Sequence, residues 1–187
     1  MIKEMKWLEQ LYSRLAKPIG RHQSAHALLI KGDQGIGKSK LALSLAANFL
    51  SEDIDIDEDD INEGRLPDCK LISPDEGKEI ISIDQIRLLK SFMLLTSLKG
   101  KGKVAIINPA HAMNIAAANS LLKILEEPPQ DTLIILISEP SSNLPKTIIS
   151  RVQIIEVNRP SREEALKWLN TINPEESWGQ IIDIFGS

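Results

Sequence analysis

Five short apolar runs recur along the chain, separated by polar and glycine-containing segments. Each run is five or six residues long and mainly aliphatic, which favours buried strands over helices. The predicted strands are residues 26–30, 69–73, 103–107, 132–137 and 152–157.

Helical periodicity fills the intervals between these runs. Pro18 and Gly20 end the first predicted helix, and the pair Pro128 and Pro129 ends the fourth. Because apolar strands alternate with helices, the pattern predicts an α/β domain with a doubly wound, five-stranded parallel sheet. The predicted helices cover about residues 4–17, 38–50, 83–93 and 116–127, and a further one begins after Ser161, where Glu164 completes a capping box.

Composition narrows the class of protein. The chain has 187 residues, 42% hydrophobic and 26% charged, with a net charge of −4, which is typical of one globular domain, alone or with a small appendage. No apolar run approaches the ~20 residues that span a bilayer, and the amino-terminal stretch carries Glu4 and Glu9, unlike a signal peptide. The single cysteine, Cys69, excludes a disulfide within the chain and any all-cysteine zinc site. We therefore expect a cytoplasmic protein without a membrane partner.

The acidic residues are concentrated in one segment. Residues 51–63 hold eight of the 26 acidic residues and no basic ones, so the rest of the chain has 22 basic against 18 acidic residues. Such a block predicts a solvated, mobile loop. The alternative is a calcium loop built on Asp53, Asp55 and Asp57. It is disfavoured because Glu58, or Asp60 in the other register, stands where that loop needs glycine.

A phosphate-loop motif follows the first predicted strand and opens the next helix. Residues 32–39 fit the pattern G-x-x-x-x-G-K-[ST], whose glycines (Gly32, Gly35 and Gly37) let backbone N–H groups point at phosphate oxygens. Lys38 would reach the β and γ phosphates and Ser39 would hold Mg²⁺, so the motif predicts a site for ATP with Mg²⁺. The alternative is a loop kept as scaffold, with no nucleotide bound.

The residues that hydrolysis needs are absent from the expected position. A carboxylate after a neighbouring strand normally holds Mg²⁺, and an adjacent acid orients the attacking water. The third predicted strand is followed instead by Asn108 and Pro109, a neutral amide and a residue without a reactive side chain. His111 is a weak candidate base, and a structural role for it is favoured. The sequence therefore predicts weak or absent ATP binding and no hydrolysis.

Metal sites are not predicted. The three histidines are His22, His26 and His111, and only the first two are close in the sequence, in a stretch that runs from loop to strand rather than along one helix face. With a single cysteine, this set predicts a protein that purifies without zinc.

Six segments share their sequence and order with a known family: residues 26–30, 67–68, 83–87, 108–114, 117–129 and 144–151. The most specific part is the stretch L-L-K-x-L-E-E-P-P within residues 117–129. These segments resemble the clamp-loader subunits of bacterial DNA polymerase III, in particular the delta-prime family, and the resemblance covers about residues 5–170. It implies an AAA+ P-loop NTPase-type fold with domains at residues 1–160 and 161–187, the second being the beginning of a helical lid.

Three departures from that family matter. Family members usually carry a four-cysteine zinc module where this chain has the acidic segment and only Cys69 nearby. Their Ser-Arg-Cys motif is Ser150-Arg151-Val152 here, which keeps the arginine and loses the thiol. They also continue into a helical collar domain, whereas this sequence stops at Ser187. We therefore expect an excised fragment or a shortened gene product that is monomeric or weakly associated.

The resemblance implies a non-hydrolysing subunit that assists ATP-dependent loading of the sliding clamp onto primed DNA, within a complex of motor and clamp-opening subunits. It implies that Arg151 acts as an arginine finger on a neighbouring motor subunit; an ordinary surface or ion-paired arginine is the alternative. Two other functions stay open, an active AAA+ motor subunit and an interaction scaffold that binds neither nucleotide nor DNA. The basic run Lys99, Lys101 and Lys103 is either a DNA contact or, as charge runs usually are, a solvated turn.

Overall fold

A computed structural model describes residues 5–17, 26–50, 57–174, 178, 179 and 182. Five strands are present: β1 Ala27–Lys31, β2 Cys69–Ile72, β3 Lys103–Ile107, β4 Thr132–Ser138 and β5 Gln153–Glu156. They form one sheet in the order β2-β3-β4-β1-β5, with every neighbouring pair parallel. The predicted doubly wound parallel sheet is confirmed.

Helices cover both faces of the sheet. Successive residues of a strand point to opposite faces, so Leu28 and Ile30 join one buried cluster while Ala27 and Leu29 join the other. In the described residues the helices are α1 Lys6–Ala16, α2 Lys38–Phe49, α3 Glu58–Asn62, α4 Ile83–Leu94, α5 Ile115–Glu126, α6 Lys146–Ile149 and α7 Arg162–Ile172, with one 3-10 turn at Ala110–Ala112. Residues of α1, α2 and α3 complete the first cluster, and residues of α4, α5 and α6 complete the second.

Part of the acidic segment is ordered, so the prediction of a mobile loop over residues 51–63 is wrong for its second half. Asp57 and Asp60 form a capping box: each side chain accepts a hydrogen bond from the other residue's backbone N–H. Behind the cap, Ile61 is buried in the core. The carboxylate of Asp57, one candidate calcium ligand, therefore caps a helix, while Asp53 and Asp55 lie outside the described residues.

The basic run divides into exposed and buried residues. Lys99 and Lys101 are exposed, but Lys103 is buried and its Nζ lies 3.0 Å from Oδ1 of Asp68 and 4.3 Å from the centroid of the Phe92 ring. A lysine held in this way offers no charge to solvent or to DNA, so both interpretations of the run are wrong for Lys103.

Asp68 joins the loop after α4 to the start of β2. Its carboxylate accepts hydrogen bonds from the Ser97 hydroxyl at 2.8 Å and from the backbone N–H groups of Leu98 and Lys99, each at 2.9 Å. Burial alone would raise the pKa of Asp68, but these bonds and the one from Lys103 outweigh it and lower the pKa from 3.8 to about 2. With these four hydrogen bonds, the Asp68 carboxylate has a structural role and holds the loop after α4 against the start of β2.

The predicted capping box at the last helix is confirmed. The Ser161 hydroxyl accepts from the Glu164 N–H while the Glu164 carboxylate accepts from the Ser161 N–H. The proposed stop at Pro18 and Gly20 lies outside the described residues. In the part of the chain that the structure describes, no helix has the length and apolar character to cross a membrane.

Candidate functional site

The phosphate-loop motif lies between the carboxyl end of β1 and the first turn of α2, where the sequence predicted it. Gly37 caps the helix with φ +94°, and an added Cβ there would lie 2.7 Å from Cδ1 of Leu8. A Cβ on Gly32 would lie 2.5 Å from Cδ1 of Ile36 and 2.7 Å from the Val157 carbonyl. The positive φ with the Leu8 contact at Gly37, and the Val157 backbone at Gly32, therefore favour glycine at both positions, whether or not a phosphate binds.

The Lys38 ammonium is held by the loop itself. Its Nζ donates to the carbonyl oxygens of Gly32 at 2.7 Å and Asp33 at 2.5 Å, and the residue is 9% exposed. Burial lowers the pKa of Lys38, and the nearby carboxylates of Glu139 and Asp33 partly offset that effect. These two bonds leave one of the three ammonium N–H groups for a phosphate oxygen, so a second phosphate contact would have to displace a carbonyl.

Asn108 lies directly against the residue that would hold Mg²⁺. It follows β3 at the same edge of the sheet, and its Nδ2 donates to the Ser39 hydroxyl over 3.2 Å. Pro109 follows, and both residues line an open cleft of about 460 Å³ together with Gly35, Gly37, Lys38 and Ser39. The structure thus brings together the phosphate loop and the two residues that stand where the catalytic acids were expected.

Two further groups in or beside the cleft were not predicted from the sequence. Glu139, half-buried, lines it directly after β4, and Arg159 forms an ion pair with Asp33 of the phosphate loop, Nε to Oδ2 at 2.5 Å. The position of Glu139 directly after a predicted strand could have identified it, because residues that follow parallel strands lie at one edge of a sheet. Arg159 is 126 residues from Asp33, so no local pattern connects them.

The amino-terminal helix supports the phosphate loop from behind. The indole Nε1 of Trp7 donates to the Ile36 carbonyl at 3.0 Å. The Trp7 ring also meets Trp168 of α7 edge to face, with centroids 5.7 Å apart. One residue of α1 therefore contacts both the phosphate loop and α7, a connection that helical periodicity does not reveal.

The histidines do not converge. His111 is exposed and lines the cleft, whereas His26 lies at the opposite edge of the sheet with Nε2 3.1 Å from the Leu125 carbonyl. His22 lies outside the described residues. No cluster of three or more His, Cys, Asp or Glu side chains among the described residues is arranged to hold a metal ion.

Arg151 lies at the edge of the sheet opposite the phosphate loop. It precedes the first residue of β5, Gln153, whereas the phosphate loop follows the last residue of β1, and these two strands are parallel neighbours. Its Nη2 contacts Oε1 of Glu126 at 2.8 Å, and its Nη1 donates to the Thr147 carbonyl at 2.9 Å and to the Ser150 hydroxyl at 3.2 Å. The side chain is 36% exposed, so a group from outside the chain can reach it.

Comparison with known proteins identifies relatives of the whole described domain. A family model described as DNA polymerase III, delta subunit, matches residues 7–161. The DNA polymerase III subunit delta-prime of Pseudomonas aeruginosa is 38% identical over 182 residues, which cover 91% of this chain and 53% of that protein. The chain spans about half the length of the curated relatives it matches.

Solved structures share the fold. The crystal structure of a DNA polymerase III gamma subunit-related protein from Thermotoga maritima superimposes with a TM-score of 0.60 at 29% identity, over 84% of this chain and 47% of that one. The RuvB Holliday junction branch migration motor of the same organism has a TM-score of 0.57 at 18% identity, over 88% of this chain and 49% of that one. At that identity the second match supports the fold alone.

Proposed function

This chain belongs to the DNA polymerase III delta-subunit family, and we propose that it acts as a clamp-loader subunit that assists ATP-dependent loading of the sliding clamp without hydrolysing ATP itself. Its partners would be the motor and clamp-opening subunits, with the clamp and primed DNA reached through the complex. Such a role in bacterial replication implies a cytoplasmic location.

The contact between Asn108 and Ser39 carries the proposal. Hydrolysis in this fold class needs a carboxylate near the serine that holds Mg²⁺, and here the neutral amide of Asn108 donates to the Ser39 hydroxyl instead. Asparagine supplies no negative charge to the metal, and Pro109 supplies no base. Both features support the absence of turnover.

Weak nucleotide binding follows from the charges around Lys38. Two loop carbonyls already accept two of its three ammonium protons, and the carboxylates of Glu139 and Asp33 act on it electrostatically. A triphosphate would bring further negative charge close to both carboxylates. We therefore propose that ATP with Mg²⁺ binds weakly or not at all.

An active motor subunit remains the second candidate, and Glu139 is the observation that favours it. This carboxylate lies in the cleft, and the solved gamma subunit-related protein is 29% identical. If Glu139 served as the base, the chain would hydrolyse ATP, and both Glu139→Gln and Lys38→Ala would abolish turnover.

Two measurements distinguish the two candidate functions: ATP hydrolysis followed by phosphate release, and ATP binding followed by calorimetric titration. We expect turnover of the chain to equal that of Lys38→Ala, at the background rate. Asn108→Asp restores a carboxylate beside Ser39 and should strengthen Mg²⁺-dependent ATP binding relative to the parent. Robust turnover that both Lys38→Ala and Glu139→Gln remove would overturn the proposal in favour of the motor subunit.

We further propose that Arg151 reaches the γ-phosphate of a neighbouring motor subunit. Its position at the far edge from its own phosphate loop, its exposure and its guanidinium chemistry support this role, because a guanidinium supplied in trans stabilises charge in phosphoryl transfer. The test is co-purification of the longest native form with motor and clamp-opening subunits, followed by DNA-stimulated ATP hydrolysis with Arg151→Ala. We expect normal assembly and reduced hydrolysis. Unchanged hydrolysis would leave Arg151 an ordinary ion-paired arginine.

A further inference from the structure

At the edge of the sheet where the strands begin, the last residue of α5, Glu126, contacts Arg151. Oε1 of Glu126 lies 2.8 Å from Nη2 of Arg151. α5 is anchored by Leu121, Ile124 and Leu125, each at most 2% exposed. The buried face of α5 therefore fixes the backbone position from which the Glu126 side chain extends towards Arg151.

We propose that Glu126 is a positioning residue for Arg151, holding its guanidinium in the orientation in which it meets a phosphate of the neighbouring subunit. This inference rests on the proposed role of Arg151 in trans and assigns the partner group within this chain that the role requires.

The location of Glu126 is not explained by helix stability. A helix carboxyl end carries partial negative charge, so a glutamate there is unfavourable unless a cation is near. Here Glu126 and Glu127 both lie at that end, and Arg151 supplies a cation to the first of them. The ion pair between Glu126 and Arg151 stabilises the fold only slightly, because the two side chains are 49% and 36% exposed.

The contacts of Arg151 leave donors for a ligand. A guanidinium has five N–H groups, and the bonds to Glu126, Thr147 and Ser150 use three of them, both on Nη1 and one on Nη2. The Nε–H and the second Nη2–H remain. Bonds on both nitrogens fix the plane of the guanidinium, and a planar donor oriented in advance binds phosphate oxygens with the least loss of side-chain freedom.

The experiment is a double-mutant cycle in the reconstituted complex, with Glu126→Gln, Arg151→Ala, the pair, and Glu127→Gln as the matched control. DNA-stimulated ATP hydrolysis is measured across ATP concentrations. We expect Glu126→Gln to lower kcat about three- to tenfold with KM for ATP unchanged, since the finger acts on the transition state. It should have no further effect in the Arg151→Ala background. Glu127→Gln should match the parent, and the melting temperature of Glu126→Gln should stay within about 3 °C of the parent.

The outcomes distinguish the two levels of the hypothesis. If Arg151→Ala leaves hydrolysis unchanged, the proposed role in trans fails. If Arg151→Ala lowers kcat but Glu126→Gln matches the parent, the role stands and the positioning inference is wrong. Equal effects of Glu126→Gln and Glu127→Gln, or an effect of Glu126→Gln that persists without Arg151, would also overturn the positioning role, because each indicates a general charge effect.

Discussion

Replacing Asp68 with asparagine should destabilise the fold more than any exposed charge substitution in this chain. The Asp68 and Lys103 side chains are 3% and 5% exposed, so solvent screens their interaction little. Lowering the pKa of Asp68 from 3.8 to about 2 corresponds to about 2 kcal/mol at neutral pH. Removing one partner of a buried pair is typically worth about 3–5 kcal/mol, because the remaining charge stays buried.

The expected loss for Asp68→Asn is therefore about 2–5 kcal/mol of unfolding free energy, or about 4–20 °C in melting temperature for a domain of this size. Urea unfolding followed by far-ultraviolet circular dichroism measures it. Asp84→Asn is the matched control, because Asp84 pairs with Arg87 at 3.0 Å while their side chains are 77% and 65% exposed. Its effect should stay below about 1 kcal/mol.

The pH dependence of stability gives an independent test of the same carboxylate. Since its folded pKa lies below the unfolded value, the stabilisation is fully present above about pH 4 and is lost as the pH falls towards 2. Asp68→Asn should lack this loss, so the parent and variant curves should converge at low pH by about 2 kcal/mol. Equal urea midpoints for the parent and Asp68→Asn at pH 7 would refute the reasoning.

Two further predictions concern the phosphate loop and the single thiol. Gly37→Ala should lower the melting temperature more than Gly35→Ala, because both positions have positive φ but only the Gly37 Cβ would meet Leu8, at 2.7 Å; equal losses in thermal unfolding would contradict the packing argument. Burial raises the pKa of the Cys69 thiol to about 12, so a thiol-disulfide reagent at pH 8 should label the native protein far more slowly than the protein in urea. Similar rates in both states would show that Cys69 is accessible.

The sheet could be predicted because each strand appears in the sequence as a short apolar run, and five such runs repeat the same pattern. β3 begins and ends where predicted, and the other strands differ by one residue at one or both ends. The three central strands β1, β3 and β4 each have four to seven consecutive buried residues, which leave little choice of structure. α3 was missed because the eight acidic residues in residues 51–63 dominate the pattern and hide Ile61, the buried residue of this helix. α6 was missed because four residues are too few to show a helical period.

The same distinction applies to the candidate site. Contacts that follow from a motif and from the order of the strands could be predicted, whereas contacts that depend on the packing of distant elements could not. The phosphate loop and Asn108 follow predicted strands, so motif and topology were enough to bring them together. Arg159 beside Asp33, Trp7 beside Ile36 and Glu126 beside Arg151 are contacts over 126, 29 and 25 residues, which depend on the packing of separate elements. Lys103 was misjudged for a related reason: its charge suggested solvent, whereas a distant aspartate compensates it in the core.

The parallel sheet separates the phosphate loop from Arg151, so the proposed absence of catalysis at one edge is compatible with the proposed function at the other. All strands end at the edge of the sheet that carries the phosphate loop, and all begin at the opposite edge, which carries Glu126 and Arg151. A change such as asparagine at position 108 alters charge at the first edge without touching the contacts of Arg151. Gly32, Gly37 and Lys38 can then persist for packing reasons, because a Cβ on either glycine would meet neighbouring atoms and the Lys38 ammonium binds the loop carbonyls. We therefore expect a complete phosphate-loop motif to be weak evidence of hydrolysis by itself, and propose that Asn108 after β3 and Glu139 after β4 determine whether this chain hydrolyses ATP.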